Sequence, residues 1–183
     1  MTTTLTDSLY LTFANLLDYP TPQTRQQAEA LLAQLQPHPE AAQAFEMFCR
    51  GIESIAFERL QELYTITFDM QPLCYPYIGY HLFGESYKRG ALMAQLNETY
   101  HAHDFCPQQE LPDHLPVALR FLGLQPALRE AEFGQTLIAE GLLPALEKML
   151  QPFKQQTENP YFGILTALRL VLVRATEKEL SHA

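Results

Sequence analysis

The sequence predicts an all-α protein, a single globular bundle of roughly seven to ten helices. Apolar residues recur at helical spacing nearly throughout, and no alternating run is long enough for a sheet strand. The 13 prolines and 8 glycines fall mostly between these periodic segments, where they separate helices. With 183 residues, 47% of them hydrophobic, the chain can bury one core, so we expect a single domain spanning residues 1–183.

The first four helices are expected before residue 70. Proline or glycine marks the limits of three of them: Tyr19-Pro20 closes the first, Pro22 and Pro37 bound the second, and Pro39 and Gly51 bound the third. The fourth carries two neighbouring apolar lines, through Leu60 and through Tyr64, which predicts burial on more than one side.

Proline and glycine also mark limits of the later helices. A short helix is expected after Pro76, with a break at Gly84, and a longer one from Glu85 to about His103. Pro126 starts a long helical segment that should be interrupted near Gly141 to Pro144. Asn159-Pro160 has the residue types of an N-cap and a first helical residue, so it should open the last helix. The tail from Glu177 to Ala183 is expected to fray.

The stretch Glu110-Leu-Pro-Asp-His-Leu-Pro116 is the most informative segment. Asp113 is a good N-cap for the apolar helix that follows, with His114 partly exposed in its first turn and Gly123 as its C-terminal stop. Pro112 and Pro116 stiffen both sides of this pair. The residues alone leave two interpretations open: a capped helix start, or a polar patch held rigid for binding.

The net charge indicates which kinds of partner the protein binds, and the cysteine content indicates the redox state of its compartment. The formal charge of −9 and pI near 5.1 disfavour nucleic acid and favour a basic partner. The cysteines, Cys49, Cys74 and Cys106, are odd in number and widely spaced, which fits a reducing compartment. Neither a signal peptide nor a membrane span is recognisable, so we expect a cytoplasmic protein.

Catalytic motifs are missing from the sequence. It contains neither a glycine-rich phosphate loop nor a Gly-x-Ser-x-Gly elbow. The best metal candidate is His101-x-His103-x-x-Cys106, but residues i and i+2 of a helix diverge, so the segment would have to unwind. We therefore predict no catalytic residues and no metal site, and keep a small metal-dependent enzyme using these three residues as the alternative.

Aromatic residues crowd the thirty or so positions before residue 88. They are Phe57, Tyr64, Phe68, Tyr75, Tyr77, Tyr80, Phe83 and Tyr87. Tyrosine combines apolar area with a polar tip, which suits a groove that takes up a peptide. Core packing is the competing interpretation, and we favour it for Phe57 and Phe68.

Five stretches, in order along the chain, resemble the NarJ-type assembly chaperones of respiratory nitrate reductase, within the TorD/DmsD group of molybdoenzyme maturation chaperones. They are Leu16-Leu-Asp-Tyr-Pro20, Glu62-Leu-Tyr-Thr-Ile-Thr-Phe-Asp69, Tyr80-His-Leu-Phe-Gly84 with Arg89-Gly90, Glu110 to Pro116, and Leu143-Pro-Ala-Leu146 with Asn159-Pro-Tyr161. The chain departs from the family pattern at Arg120, where many members carry an acidic residue, and the long acidic tail of some members is expected to be missing.

The resemblance implies a non-catalytic chaperone. Such a protein binds the N-terminal segment of a molybdoenzyme catalytic subunit before the subunit is attached to the membrane or exported. It holds this segment while the molybdopterin guanine dinucleotide cofactor is inserted, without binding a cofactor stably itself. Proteins of molybdenum cofactor biosynthesis are further candidate partners, and the chain would be a monomer or a domain-swapped dimer. A regulatory adaptor with the same fold is a further alternative.

The resemblance and the aromatic crowding together give the predicted peptide-binding residues. They are Tyr64, Tyr77, Tyr80, Phe83, Gly84, Pro112, Asp113 and His114. In this interpretation Asp113 faces an arginine of a basic peptide, and His114 donates or accepts a hydrogen bond while titrating near neutral pH.

Overall fold

The computed structural model describes residues 5–107 and 109–180, and helices make up most of them. The α-helical segments are α1 Leu5–Leu16, α2 Thr24–Gln34, α3 Pro39–Glu53, α4 Phe57–Phe68, α5 Ile78–Phe83, α6 Tyr87–Ala102, α7 Leu115–Leu124, α8 Pro126–Glu130, α9 Glu132–Thr136, α10 Leu143–Met149 and α11 Pro160–Leu180. A π-helix, Leu137–Leu142, joins α9 to α10 without a break, so the described chain forms ten separate α-helices. It contains no β-strand, and the all-α prediction is confirmed.

The start of α11 follows the prediction closely. Asn159 Oδ1 accepts a hydrogen bond from the Tyr161 N–H at 3.0 Å, and Pro160 is the first helical residue. The Asn159 side chain also donates to Thr67 Oγ1 at 3.0 Å. One amide therefore caps α11 and fixes it to α4.

Two predicted breaks prove wrong. Gly123 does not stop α7, which continues to Leu124; a Cβ at Gly123 would lie 2.8 Å from Leu11 Cγ, so glycine is needed there for contact with α1. The interruption expected near Gly141 to Pro144 is a π-turn within one continuous helix, and the actual break lies at Ala131.

The predicted frayed tail lies partly outside the described residues. Positions 177–180 belong to α11, while 181–183 are not described. In the part of the chain that the structure covers, no helix combines the length and the apolarity that crossing a bilayer requires.

The core centres on α3 against α11 and α1 against α7. Contacting aromatic rings link α1, α3 and α11 to α4, with centroids 4.9 to 6.4 Å apart. The rings belong to Phe13, Phe45, Phe48, Tyr64, Phe68 and Tyr161. Pairing of aromatic rings in the core gives α11 a fixed position across the bundle.

Replacing Gly163 with alanine is expected to lower the free energy of unfolding by about 1–3 kcal/mol, because it overpacks the contact between α3 and α11. The added Cβ would lie 2.7 Å from the Ala44 carbonyl oxygen and 3.0 Å from the Phe48 nitrogen. Urea unfolding would measure the change. The control is Gly90→Ala in α6, where a Cβ meets nothing within 4 Å; it should stabilise by about 0.5–1 kcal/mol. Equal effects of the two variants would contradict the explanation.

Candidate functional site

The Pro-Asp-His element, residues 112–114, is held by the segment that precedes α5. The Ile78 N–H donates to the Asp113 carbonyl oxygen at 2.8 Å, and the Leu115 N–H donates to the Pro76 carbonyl oxygen at 2.8 Å. These bonds form one antiparallel bridge between Tyr77 and His114. Two segments that the sequence singled out separately therefore meet side by side.

Asp113 is not the N-cap of α7, contrary to the prediction. The helix begins at Leu115, and the flanking His114 makes no side-chain cap bond. The Asp113 side chain is completely buried and accepts hydrogen bonds from Arg89 of α6, Nε to Oδ2 at 2.9 Å and Nη2 to Oδ1 at 3.4 Å. A guanidinium offers two charge-assisted bonds, which outweigh one bond to a neutral amide.

Arg89 is enclosed by aromatic rings and by backbone. Its Cζ atom lies 5.4 Å from the Tyr77 ring centroid and 5.9 Å from that of Tyr80. A Cβ at Gly79 would lie 2.8 Å from Asp113 Oδ2, so only glycine lets α5 approach the ion pair. The bonds to Asp113 raise the pKa of Arg89, which stays cationic. The arginine that faces Asp113 thus belongs to the chain itself and not to a peptide.

His114 is buried, where the sequence predicted partial exposure. Its Nδ1 has no hydrogen-bond partner among the described residues, and its ring lies 5.3 Å from that of Tyr77. Burial lowers the pKa of His114, against the opposing effect of Glu110 and other nearby carboxylates, so the ring is neutral at pH 7. Pro112 is buried as well, and its carbonyl oxygen accepts a bond from the Tyr100 hydroxyl at 3.0 Å.

The predicted aromatic residues divide between core and surface. Tyr64 is buried among Tyr19, Phe68 and Tyr161. Tyr77 is half-buried and donates its hydroxyl to Glu110 Oε2 at 3.2 Å, and burial with that carboxylate raises its pKa to about 12. This residue is therefore neutral and joins the two sequence motifs.

Tyr80 and Phe83 remain accessible at the surface. The half-buried Tyr80 ring lies 4.3 Å from that of Tyr75, and Phe83 is 41% exposed. Gly84 ends α5 with a φ of +65°, a left-handed value that favours glycine. The turn at Gly84 leaves Phe83 at the edge of a neighbouring groove.

That groove has a volume of about 460 Å³ and lies between α5, α6 and the helix that runs from α9 through the π-turn. Its lining is mainly apolar with two carboxylates, and is formed by Leu82, Phe83, Leu92, Gln95, Leu96, Glu132, Phe133, Thr136, Leu137, Glu140 and Gly141. Of the residues predicted from sequence, only Phe83 belongs to this lining. Its other apolar residues have the spacing of core positions in the sequence, and the exposed polar residues Gln95, Glu132, Thr136 and Glu140 mark its open face.

The buried ion pair and the groove share two helices. Arg89 and Leu92 lie one turn apart on α6, and Gly79 lies one turn before Leu82 and Phe83 on α5. The Arg89–Asp113 pair therefore lies against α5 and α6, two of the three helices that line the groove, one turn from their lining residues. Its role in the site is to position them.

The predicted alternative metal ligands do not form a cluster. His101 and His103 turn their Nδ1 atoms to the carbonyl oxygens of Asn97 and Thr99, at 2.7 and 2.9 Å. Across residues 5–107 and 109–180, no three His, Cys, Asp or Glu side chains are grouped so that they could hold a metal ion.

Comparison with known proteins gives consistent relatives. Residues 33–167 match the model of the nitrate reductase delta subunit family. The nitrate reductase molybdenum cofactor assembly chaperone NarJ of Escherichia coli (strain K12) is 29% identical over 155 residues, covering 81% of this chain and 62% of that protein. The protein assigned as the corresponding chaperone of Bacillus subtilis (strain 168) is 40% identical over 65 residues, 35% of each chain. This chain thus spans less than two thirds of the Escherichia coli relative.

A solved structure supports the fold. A protein from Archaeoglobus fulgidus, assigned as a redox enzyme maturation protein, superposes with a TM-score of 0.60 over 91% of this chain and 93% of that one, at 21% identity. The sequence relatives are named as assembly chaperones and not as enzymes, in agreement with the prediction of a non-catalytic protein.

Proposed function

Because the chain belongs to the nitrate reductase delta subunit family, whose model covers residues 33–167, we propose that it is a chaperone for molybdenum cofactor assembly in a nitrate reductase. It binds the N-terminal segment of the catalytic subunit in the cytoplasm. It holds that segment while other proteins insert the molybdopterin guanine dinucleotide cofactor, and it keeps no cofactor itself. The relatives' names support the assembly role.

The groove between α5, α6 and α9 is the observation that carries this proposal. An apolar trough with carboxylates at Glu132 and Glu140 suits a peptide that has apolar side chains and basic residues. The formal charge of −9 on the chain attracts the same kind of peptide. A small polar substrate would find few hydrogen-bonding groups in this lining.

The predicted binding residues take two roles in the proposal. Phe83, Tyr80 and Gly84 form the accessible edge that meets the peptide. The other five support that edge from the protein interior, since four of them are buried and one is half-buried. They are Tyr64, Tyr77, Pro112, Asp113 and His114. The rigid Pro-Asp-His element is thus a support, and the peptide contacts lie on the adjoining helices.

Calorimetric titration with a synthetic peptide of the catalytic subunit's N-terminal segment should show saturable one-to-one binding. Binding should weaken as salt rises, because carboxylates at the groove are screened. A peptide of the same composition in scrambled order is the control. Absence of heat with the native peptide, or equal heat with the scrambled one, would contradict the proposal.

Deletion of the gene separates a chaperone from a regulatory adaptor. We expect nitrate reductase activity to be lost while the catalytic subunit accumulates without molybdenum cofactor, measured by metal analysis of the purified subunit. A normally loaded subunit with reduced expression would favour an adaptor.

A further inference from the structure

The π-helix Leu137–Leu142 forms part of the groove wall, and Pro144 follows it by two residues. The Leu143 N–H donates to the Ile138 carbonyl oxygen, five residues earlier, as in a π-turn. Backbone angles stay helical on both sides, from Thr136 to Leu143. The helix thus widens at this point without breaking.

Pro144 provides a physical reason for the widening. In an uninterrupted α-helix its ring would clash with the Glu140 carbonyl, and its nitrogen could not donate to that oxygen, at a cost of about 3 kcal/mol or more. A π-turn immediately before the proline moves that carbonyl away from the ring. No other feature of this segment demands a wider turn, since Gly141 needs no unusual backbone angle.

The wider turn determines which side chains face the groove. The lining residues of this helix come in pairs four residues apart, Glu132-Phe133, Thr136-Leu137 and Glu140-Gly141. In a pure α-helix each four-residue step overshoots one full turn by about 40°, so the third pair would rotate away from the first. A π-turn holds more residues per turn than an α-helix, so the three pairs of lining residues stay on the side of the helix that faces the groove.

We propose that Pro144 is a positioning residue for the client peptide. By enforcing the π-turn it places the Glu140 carboxylate and the bare Gly141 backbone on the groove wall, while Leu142 and Leu146 stay in the core. Glu140 then meets a basic side chain of the peptide, and Gly141 leaves room for an apolar one. This inference rests on the proposed function and adds to it the residue that shapes the wall.

The test is a double-mutant cycle on peptide affinity, with the same synthetic peptide of the catalytic subunit. Pro144→Ala should weaken binding at least tenfold while the melting temperature stays level or rises, because the helix loses a strained turn. Glu140→Gln alone should weaken binding several-fold. Added to Pro144→Ala, it should have little further effect, since Glu140 has already left the groove.

Pro126→Ala is the control for loss of a helical proline, because Pro126 opens α8 and lies outside the groove; it should leave affinity within twofold. A crystal structure of Pro144→Ala gives a second measurement that needs no peptide: the new amide at 144 should donate to the Glu140 carbonyl oxygen, as in an α-helix. Wild-type affinity in Pro144→Ala, additive losses in the cycle, or a π-turn that persists in the variant would each overturn the inference. If the wild-type protein fails to bind the peptide, the proposed function fails, and the structure of the variant still decides whether Pro144 enforces the π-turn.

Discussion

Replacing Arg89 with methionine is expected to lower the free energy of unfolding by about 3–5 kcal/mol, because it leaves the Asp113 carboxylate buried without its counter-charge. Asp113 is completely buried, and the Arg89 side chain is only 12% exposed. Methionine keeps the unbranched stem that lies against Tyr77 and Tyr80, so the loss reports the charge and its hydrogen bonds. Urea unfolding followed by circular dichroism would measure it.

An exposed ion pair provides the control. Arg59 and Glu62 lie one turn apart on α4 with side chains 68% and 58% exposed, so Arg59→Met should cost less than about 1 kcal/mol. In the double variant Arg89→Met, Asp113→Asn, part of the loss should return, because the buried carboxylate is gone. Similar losses for Arg89→Met and Arg59→Met would show that the Arg89–Asp113 pair does not hold this region.

The misassignment of Asp113 shows which information a single sequence lacks. An aspartate before an apolar helical run satisfies the local rules for a cap, and nothing nearby in the sequence indicates a counter-charge. Its partner, Arg89, lies 24 positions earlier, on a helix whose angle is determined by tertiary packing. The Asn159 cap was predictable because its partner, the Tyr161 N–H, is two residues away. Local hydrogen bonds can be derived from sequence, and long-range charge pairs require the fold.

The position of the groove could not be predicted from the sequence, for a related reason. Leu92, Leu96 and Leu137 have the helical spacing of core residues, and a groove wall uses the same spacing. Whether such a face is covered depends on how far apart three helices pack, and that distance is a property of the whole fold. Phe83 was predicted from the crowding of aromatic residues and from the resemblance, and the structure places its ring in the groove lining, where it is 41% exposed.

The Phe83 ring should be the main anchor of the client peptide. It is the exposed aromatic residue at the groove edge, and such rings in partly enclosed positions dominate binding energy. Phe83→Ala is expected to weaken peptide binding about 30-fold, equivalent to about 2 kcal/mol. The melting temperature should fall little, because much of the ring is already in water. Calorimetric titration and thermal unfolding of the same samples would measure the two effects.

Tyr87→Ala is the control for Phe83→Ala. It tests whether peptide affinity is lost only when an aromatic ring at the groove is removed, or when any exposed aromatic ring of this region is removed. Tyr87 begins α6, four residues after Phe83, but its side chain is 91% exposed and lies outside the groove. Its removal should change affinity less than about threefold, since a fully solvated ring is seldom a binding hot spot. Equal losses in the two variants would place the peptide on the outer surface of α5 and α6. A drop in stability that matched the loss of affinity for Phe83→Ala would make the ring a structural residue. Because the turn at Gly84 separates the two rings, a loss confined to Phe83 assigns binding to the groove side of that turn.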